Sequence, residues 1–188
     1  MNPYRIDFDL ITGFCKSGIV KPVQRRVSNM KTQFLDEKAA QKAIEDGDPI
    51  LYEFNTLLNE EKHSALAFGT TIIYPGKIGD EYYMTKGHFH TVLDTAEVYY
   101  CLSGNGFMMM ETPEGEVDIK ELHPGEAVYV PGRWAHRSIN HGKEPFVMFF
   151  VYPADSGHDY GTIETKGYRK LVIEKDGKPI VIDNPNWK

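Results

Sequence analysis

Two histidines, His88 and His90, flank Phe89 in the stretch of this chain richest in potential chemistry. Side chains on an extended strand alternate between faces, so both imidazoles project to one side and Phe89 to the other. Glu97 heads the next apolar run, Ala96-Glu97-Val98-Tyr99-Tyr100, where the same alternation sets Glu97, Tyr99 and Cys101 on one face. His136 follows the turn Pro131-Gly132-Arg133 and can return a third imidazole to the same cavity. Three neutral imidazoles and one carboxylate make a borderline-hard ligand set. It suits Fe(II), Mn(II), Co(II), Ni(II) or Zn(II) and can leave positions open for water or substrate. The spacing does not choose among these metals.

Strands are needed to carry such groups, and most of the chain reads as strands. Asp36 is placed to cap a short helix over Glu37–Asp46, with Ala39, Ala40, Ala43 and Ile44 on one apolar side and Gly47 and Pro49 ending it. Helical signal is confined to this first quarter. From Pro49 onward short apolar or alternating runs are broken by turn clusters, which after residue 100 recur about every ten residues. The runs Ala67–Tyr74, Ala96–Leu102, Ala127–Pro131 and Phe146–Tyr152 read as strands. Asp176-Gly177, between Leu171–Glu174 and Pro179–Ile182, reads as a hairpin turn. The expected fold is all-β: an antiparallel barrel or jelly roll over residues 49–188, preceded by a decoration over residues 1–48 with one short helix, the whole a single domain.

Composition narrows the function. The chain has 188 residues, 41% hydrophobic and 26% charged, as in a soluble globular protein able to build a core without disulfides. Its formal net charge of −6 argues against a nucleic-acid binder. Cys15 and Cys101 form no CxxC pair, which excludes a cysteine zinc site. The longest apolar run, Phe146–Tyr152, is too short to span a bilayer, and the start lacks the pattern of a signal peptide, so a cytoplasmic location is expected. Met108-Met109-Met110 reads as core filling in a strand, and His63, His123 and His141 as solvated or hydrogen-bonded side chains. His158 differs, because it sits in the polar, glycine-flanked loop Ala154–Gly161 just after an apolar strand.

His88, His90, Glu97 and Gly104, followed by Gly125, Pro131, His136 and Asn140, resemble the two sequence motifs of the cupin superfamily, whose double-stranded β-helix holds a metal in its mouth. The interval from His90 to Glu97 is longer than the commonest cupin spacing and requires a longer hairpin or a bulge. Arg133 stands where the second motif usually has glycine. The stretches TTIIYPGKIG, TKGHFHTVLDTAEVYYCLSGNG, PGEAVYVPGRWAHRSIN, EPFVMFFVYPADSGHDYGTIETKG and VIDNPNWK resemble, more narrowly, the archaeal cupin-type glucose-6-phosphate isomerases. The resemblance implies a glycolytic and gluconeogenic enzyme that interconverts glucose 6-phosphate and fructose 6-phosphate, usually as a homodimer. It implies one divalent metal per subunit, iron(II) foremost, held by residues matching His88, His90, Glu97 and His136. Substrate contacts then fall on residues matching Thr71, Thr85, Gly87, Tyr99, Tyr152, His158 and Tyr160, with the threonines and Gly87 near the phosphate. Simple strand parity sends Thr85 to the face opposite His88, so its role requires a bulge, for which Gly87 is a natural site. Glu97 is then a possible base moving a proton between C1 and C2 through a cis-enediol, helped by His158 or Tyr99; a metal-assisted hydride shift is the competing route. An Fe(II) cupin dioxygenase and a non-catalytic sugar-phosphate-binding cupin are the rival readings, since one fold hosts many functions.

Overall fold

In the computed structural model, which describes residues 2–18, 20–57 and 60–187, the Asp36 carboxylate accepts the Ala39 amide at 2.9 Å and starts α1 (Glu37–Glu45). That bond satisfies one of the N–H groups left orphaned in the first turn of any helix. Ala40 is buried, and Ala39, Ala43 and Ile44 pack beside it against the core, so α1 is held by its apolar side.

The strands are β1 (Val23–Arg26), β2 (Ile50–Leu57), β3 (Leu66–Ile73), β4 (Lys77–Ile78), β5 (Glu81–Tyr82), β6 (Glu97–Ser103), β7 (Gly106–Glu111), β8 (Val117–Leu122), β9 (Ala127–Val130), β10 (Ala135–Ile139), β11 (Phe146–Pro153), β12 (Lys170–Lys175) and β13 (Lys178–Asp183). Six of them make one antiparallel sheet in the order β1-β2-β3-β11-β6-β9; β10-β7-β8 and β13-β12-β5-β4 make two smaller ones. Antiparallel bridges Met84↔Ile139 and His88↔His136 fasten the segment after β5 to β10.

The period of two is visible in burial. On β6, Glu97, Tyr99 and Cys101 are buried while Val98 and Tyr100 stay exposed. The three consecutive methionines of β7 are all buried, as core filling on both faces of a covered strand. Asp176 and Gly177 both take positive φ, +52° and +73°, the conformation of a two-residue hairpin turn between β12 and β13.

Three features depart from expectation. A second helix, α2 (Gly161–Lys166), lies far outside the first quarter; at six residues it is too short to show an apolar period. The N-terminal region contributes not only α1 but also β1, the edge strand of the large sheet. His88-Phe89-His90 is not part of a continuous ladder: isolated bridges His88↔His136 and Phe89↔Asp159 hold it extended, with the side chains still alternating. No helix among the described residues is long and apolar enough to cross a membrane.

Candidate metal centre and substrate pocket

One ligand atom from each of His88, His90, Glu97 and His136 lies within 4.8 Å of the others. Three elements deliver them: the extended 88–90 segment, the first residue of β6, and β10. Glu97 Oε2 is 3.1 Å from His90 Nε2 and 2.9 Å from His136 Nε2. Each of these rings is set from behind by a carbonyl. The Thr95 oxygen lies 3.0 Å from His90 Nδ1, and the Trp134 oxygen 3.3 Å from His136 Nδ1. An Nδ1–H donating to a carbonyl leaves Nε2 with its lone pair facing inward. Two nitrogen lone pairs then converge on an anionic oxygen in a site that is almost dry, an arrangement that a cation between them would relieve. His88 Nε2 is likewise buried without a hydrogen-bond partner among the described residues. The donor set thus fits a divalent metal on its own geometry.

Electrostatics agree. Burial lowers the proton affinity of His88 well below the ordinary histidine range, and the neighbouring His136, His158 and His90 lower it further, so His88 is neutral. Burial alone would raise Glu97; with protons on the facing nitrogens instead, the charges and hydrogen bonds of His136 and His90 outweigh it and hold the carboxyl down at about 2, so the oxygen answers positive charge placed between it and the rings. Burial and the adjacent Glu97 carboxylate keep the Tyr99 phenol protonated. Burial pushes His158 down to about 4, against the Glu97 charge, so at neutral pH it offers one N–H and one lone pair.

These groups open onto a cavity of about 180 Å³. Thr71, Thr85, Gly87, His88, Glu97, Tyr99, His136, Tyr152, His158 and Tyr160 all line it, while His90 stands behind Glu97. Thr70 points away and donates to the Gly13 carbonyl. Tyr129 faces outward, and among the remaining histidines His63 and His123 are surface groups while His141 stacks on Phe107. Tyr52 and Phe54 from β2, Thr56, Ser138 and Phe150 also line the cavity, and no sequence motif marks them. Strand parity along β2 puts Tyr52, Phe54 and Thr56 on one face, but nothing local says that this face meets the histidines.

Thr85 reaches the cavity because Gly87 takes φ +73°, breaking the alternation between residues 85 and 88. Beneath this segment lies a buried platform. Arg137, next to His136 and turned the other way, donates to the Lys86 carbonyl at 2.8 Å and sits over the Tyr168 ring at 4.4 Å. A Cβ on Gly87 would lie 2.5 Å from the Tyr168 hydroxyl and 2.7 Å from its ring. Gly87→Ala therefore meets both a disfavoured φ and a buried wall. It is expected to lose about 1–3 kcal/mol of stability and, by displacing Thr85 and His88, to raise KM several-fold. Thermal unfolding and steady-state kinetics on the same preparation check both.

Fold and site together define an antiparallel β-barrel protein with a buried three-histidine, one-glutamate centre at the base of a polar, tyrosine-rich pocket. The family described as "Glucose-6-phosphate isomerase (GPI)" matches residues 24–188. Glucose-6-phosphate isomerases of Thermococcus litoralis and Pyrococcus furiosus are each 50% identical over 186 residues, 99% of this chain and 97% of theirs. A Bacillus subtilis oxalate decarboxylase structure aligns with TM-score 0.47 and 22% identity, over 60% of this chain and 28% of that one. The chain belongs to the glucose-6-phosphate isomerase family and is an isomerase.

Proposed function

We propose that the chain interconverts glucose 6-phosphate and fructose 6-phosphate in this pocket, with a divalent metal held by His88, His90, Glu97 and His136. The observation that carries this reading is the convergence of the His90 and His136 lone pairs on the buried Glu97 oxygen. Bound there, a divalent cation supplies Lewis-acid stabilisation of charge developing on the neighbouring C1 and C2 oxygens. Iron(II) as that cation, a homodimeric state and a cytoplasmic location belong to the same proposal, on the strength of the family resemblance.

The protein's own groups divide the remaining work. Thr71, Thr85 and the Gly87 backbone hold the phosphate. Tyr152 and Tyr160 wall the sugar, and Tyr160 stacks parallel to His158, 5.8 Å between ring centroids. Aldose–ketose exchange needs one proton moved between carbons and another between oxygens. Glu97 is ionised at neutral pH, as a base must be, and in this reading its Oε1, which neither imidazole contacts, carries the carbon proton through a cis-enediol. His158, neutral and against His88, exchanges the proton between O1 and O2, with Tyr99 as a fixed donor.

Conversion of fructose 6-phosphate in heavy water tests the route. Substantial deuterium at C2 of the glucose 6-phosphate formed is the expected result, since a proton held on Glu97 exchanges with solvent. Product carrying only protium at C2 would point to an internal hydride shift or to a base shielded from solvent, and the rate of Glu97→Gln at full metal occupancy separates the two.

A further inference from the structure

A phosphate monoester carries close to two negative charges at neutral pH, and protein sites that hold one normally set a cation against it. The cations around the pocket are largely committed elsewhere. Lys86 is paired with Glu164 of α2 and lies over the Tyr160 ring. Arg137 is buried behind the pocket wall and spends its guanidinium on the Lys86 carbonyl and the Gln33 side-chain oxygen. Hydroxyls and one backbone N–H would be left to hold a dianion.

Arg25 stands apart. It lies on β1 directly opposite Tyr52 of β2, and opposed residues of an antiparallel pair share a face. Tyr52 lines the pocket, so Arg25 extends that lining at the sheet edge. Its guanidinium sits 5.7 Å over the ring of Phe54, another lining residue. The β1–β2 register slips between Arg25 and Arg26, an irregularity that re-aims neighbouring side chains. Its effect is to part the two arginines. Arg26 turns back to the Asp48 carbonyl at 2.8 Å as a structural tie, whereas Arg25, half-buried, has no carboxylate within 4 Å among the described residues. The charge is felt inside: burial raises the Tyr52 and Tyr160 phenols, and Arg25 pulls against that rise at both.

We propose that Arg25 is the cation of the phosphate subsite, a specificity-determining residue that reaches over Tyr52 and Phe54 to close on the phosphoryl group. This rests on the reading of the pocket as a sugar-phosphate site. Tyr52 and Phe54 then serve as a platform fixing the guanidinium, and β1, the edge strand contributed by the N-terminal region, becomes part of the active site.

Arg25→Gln tests it on the intact, metal-loaded protein. The KM for fructose 6-phosphate is expected to rise roughly tenfold to a hundredfold, the loss of a charge-assisted hydrogen bond, with kcat changed less than about threefold. The inhibition constant of inorganic phosphate against fructose 6-phosphate should rise in parallel, and Arg25→Lys should recover part of both. Unaltered KM and phosphate inhibition in Arg25→Gln would overturn the assignment. So would a matched fall in kcat and melting temperature with phosphate inhibition intact, since that is the mark of a structural role only. Wild-type protein indifferent to phosphate would instead overturn the sugar-phosphate reading itself, and Arg25's role with it.

Discussion

Removal of the divalent metal by chelation is expected to lower the conversion of fructose 6-phosphate at least about a thousandfold, the scale of several kcal/mol of lost charge stabilisation. Restoring a divalent metal should bring it back, and the whole cycle should run without oxygen. The expectation follows from how the four ligands are held. The carbonyls of Thr95 and Trp134 fix two histidines in the tautomer that turns Nε2 inward, onto Glu97. His88 completes the set from the segment bridged to β10. A protein that only folded around these residues would gain nothing from turning imidazole lone pairs onto a buried carboxylate. His136→Ala, which removes one ligand and leaves the carbonyl behind it, should lose metal content and activity together. Elemental analysis reads the metal independently of turnover, and the metal-loaded wild type should melt higher than the stripped protein, because a ligand bound only by the folded state stabilises it. Activity that survives complete stripping would sink the metal assignment. Activity that needs oxygen would bring the dioxygenase reading forward.

Much of this centre is legible in the sequence because it rests on short-range rules. Alternation along β6 places Glu97 and Tyr99 on one face, and the spacing of His88 and His90 does the same on an extended segment. The two departures from the cupin motifs have physical answers. The long interval between His90 and Glu97 forms a loop whose Thr95 carbonyl orients the His90 ring, so the extra residues serve the site. Arg133, where a glycine is usual, itself adopts φ +71°, with its amide on the Leu93 carbonyl and its guanidinium on Glu114. What the sequence hides depends on register between distant strands. Arg25 meets Tyr52, and Tyr52 meets the histidine cavity, only because β1, β2 and β3 align as they do. Nor does any local period reveal that Arg137 and Tyr168 form the floor under Gly87. Side chains facing away from a site leave no mark in the pattern that finds it.

Glu97→Gln is the second large expected effect. The substitution keeps the shape of the side chain and an oxygen able to ligate, but removes the charge and the capacity to accept a proton from carbon. With metal supplied to saturation, kcat should fall about 10²–10⁴-fold, the usual contribution of a positioned general base, while KM for fructose 6-phosphate moves little, since Glu97 is not among the groups proposed to hold the phosphate. Metal affinity should also weaken, because an amide oxygen replaces an anionic one, so occupancy must be measured on the same sample. The two roles of Glu97 then separate. If kcat falls only as far as occupancy falls, Glu97 is a ligand and nothing more, and the hydride shift becomes the better account. If kcat collapses at full occupancy, and deuterium at C2 from heavy water collapses with it, the carboxylate is the group that carries the proton. Glu97→Asp sharpens the distinction: it keeps the charge but shortens the reach from β6. A base that must touch C1 and C2 from a fixed strand should lose most of its rate on losing one methylene, whereas a charge that only balances the metal should lose far less.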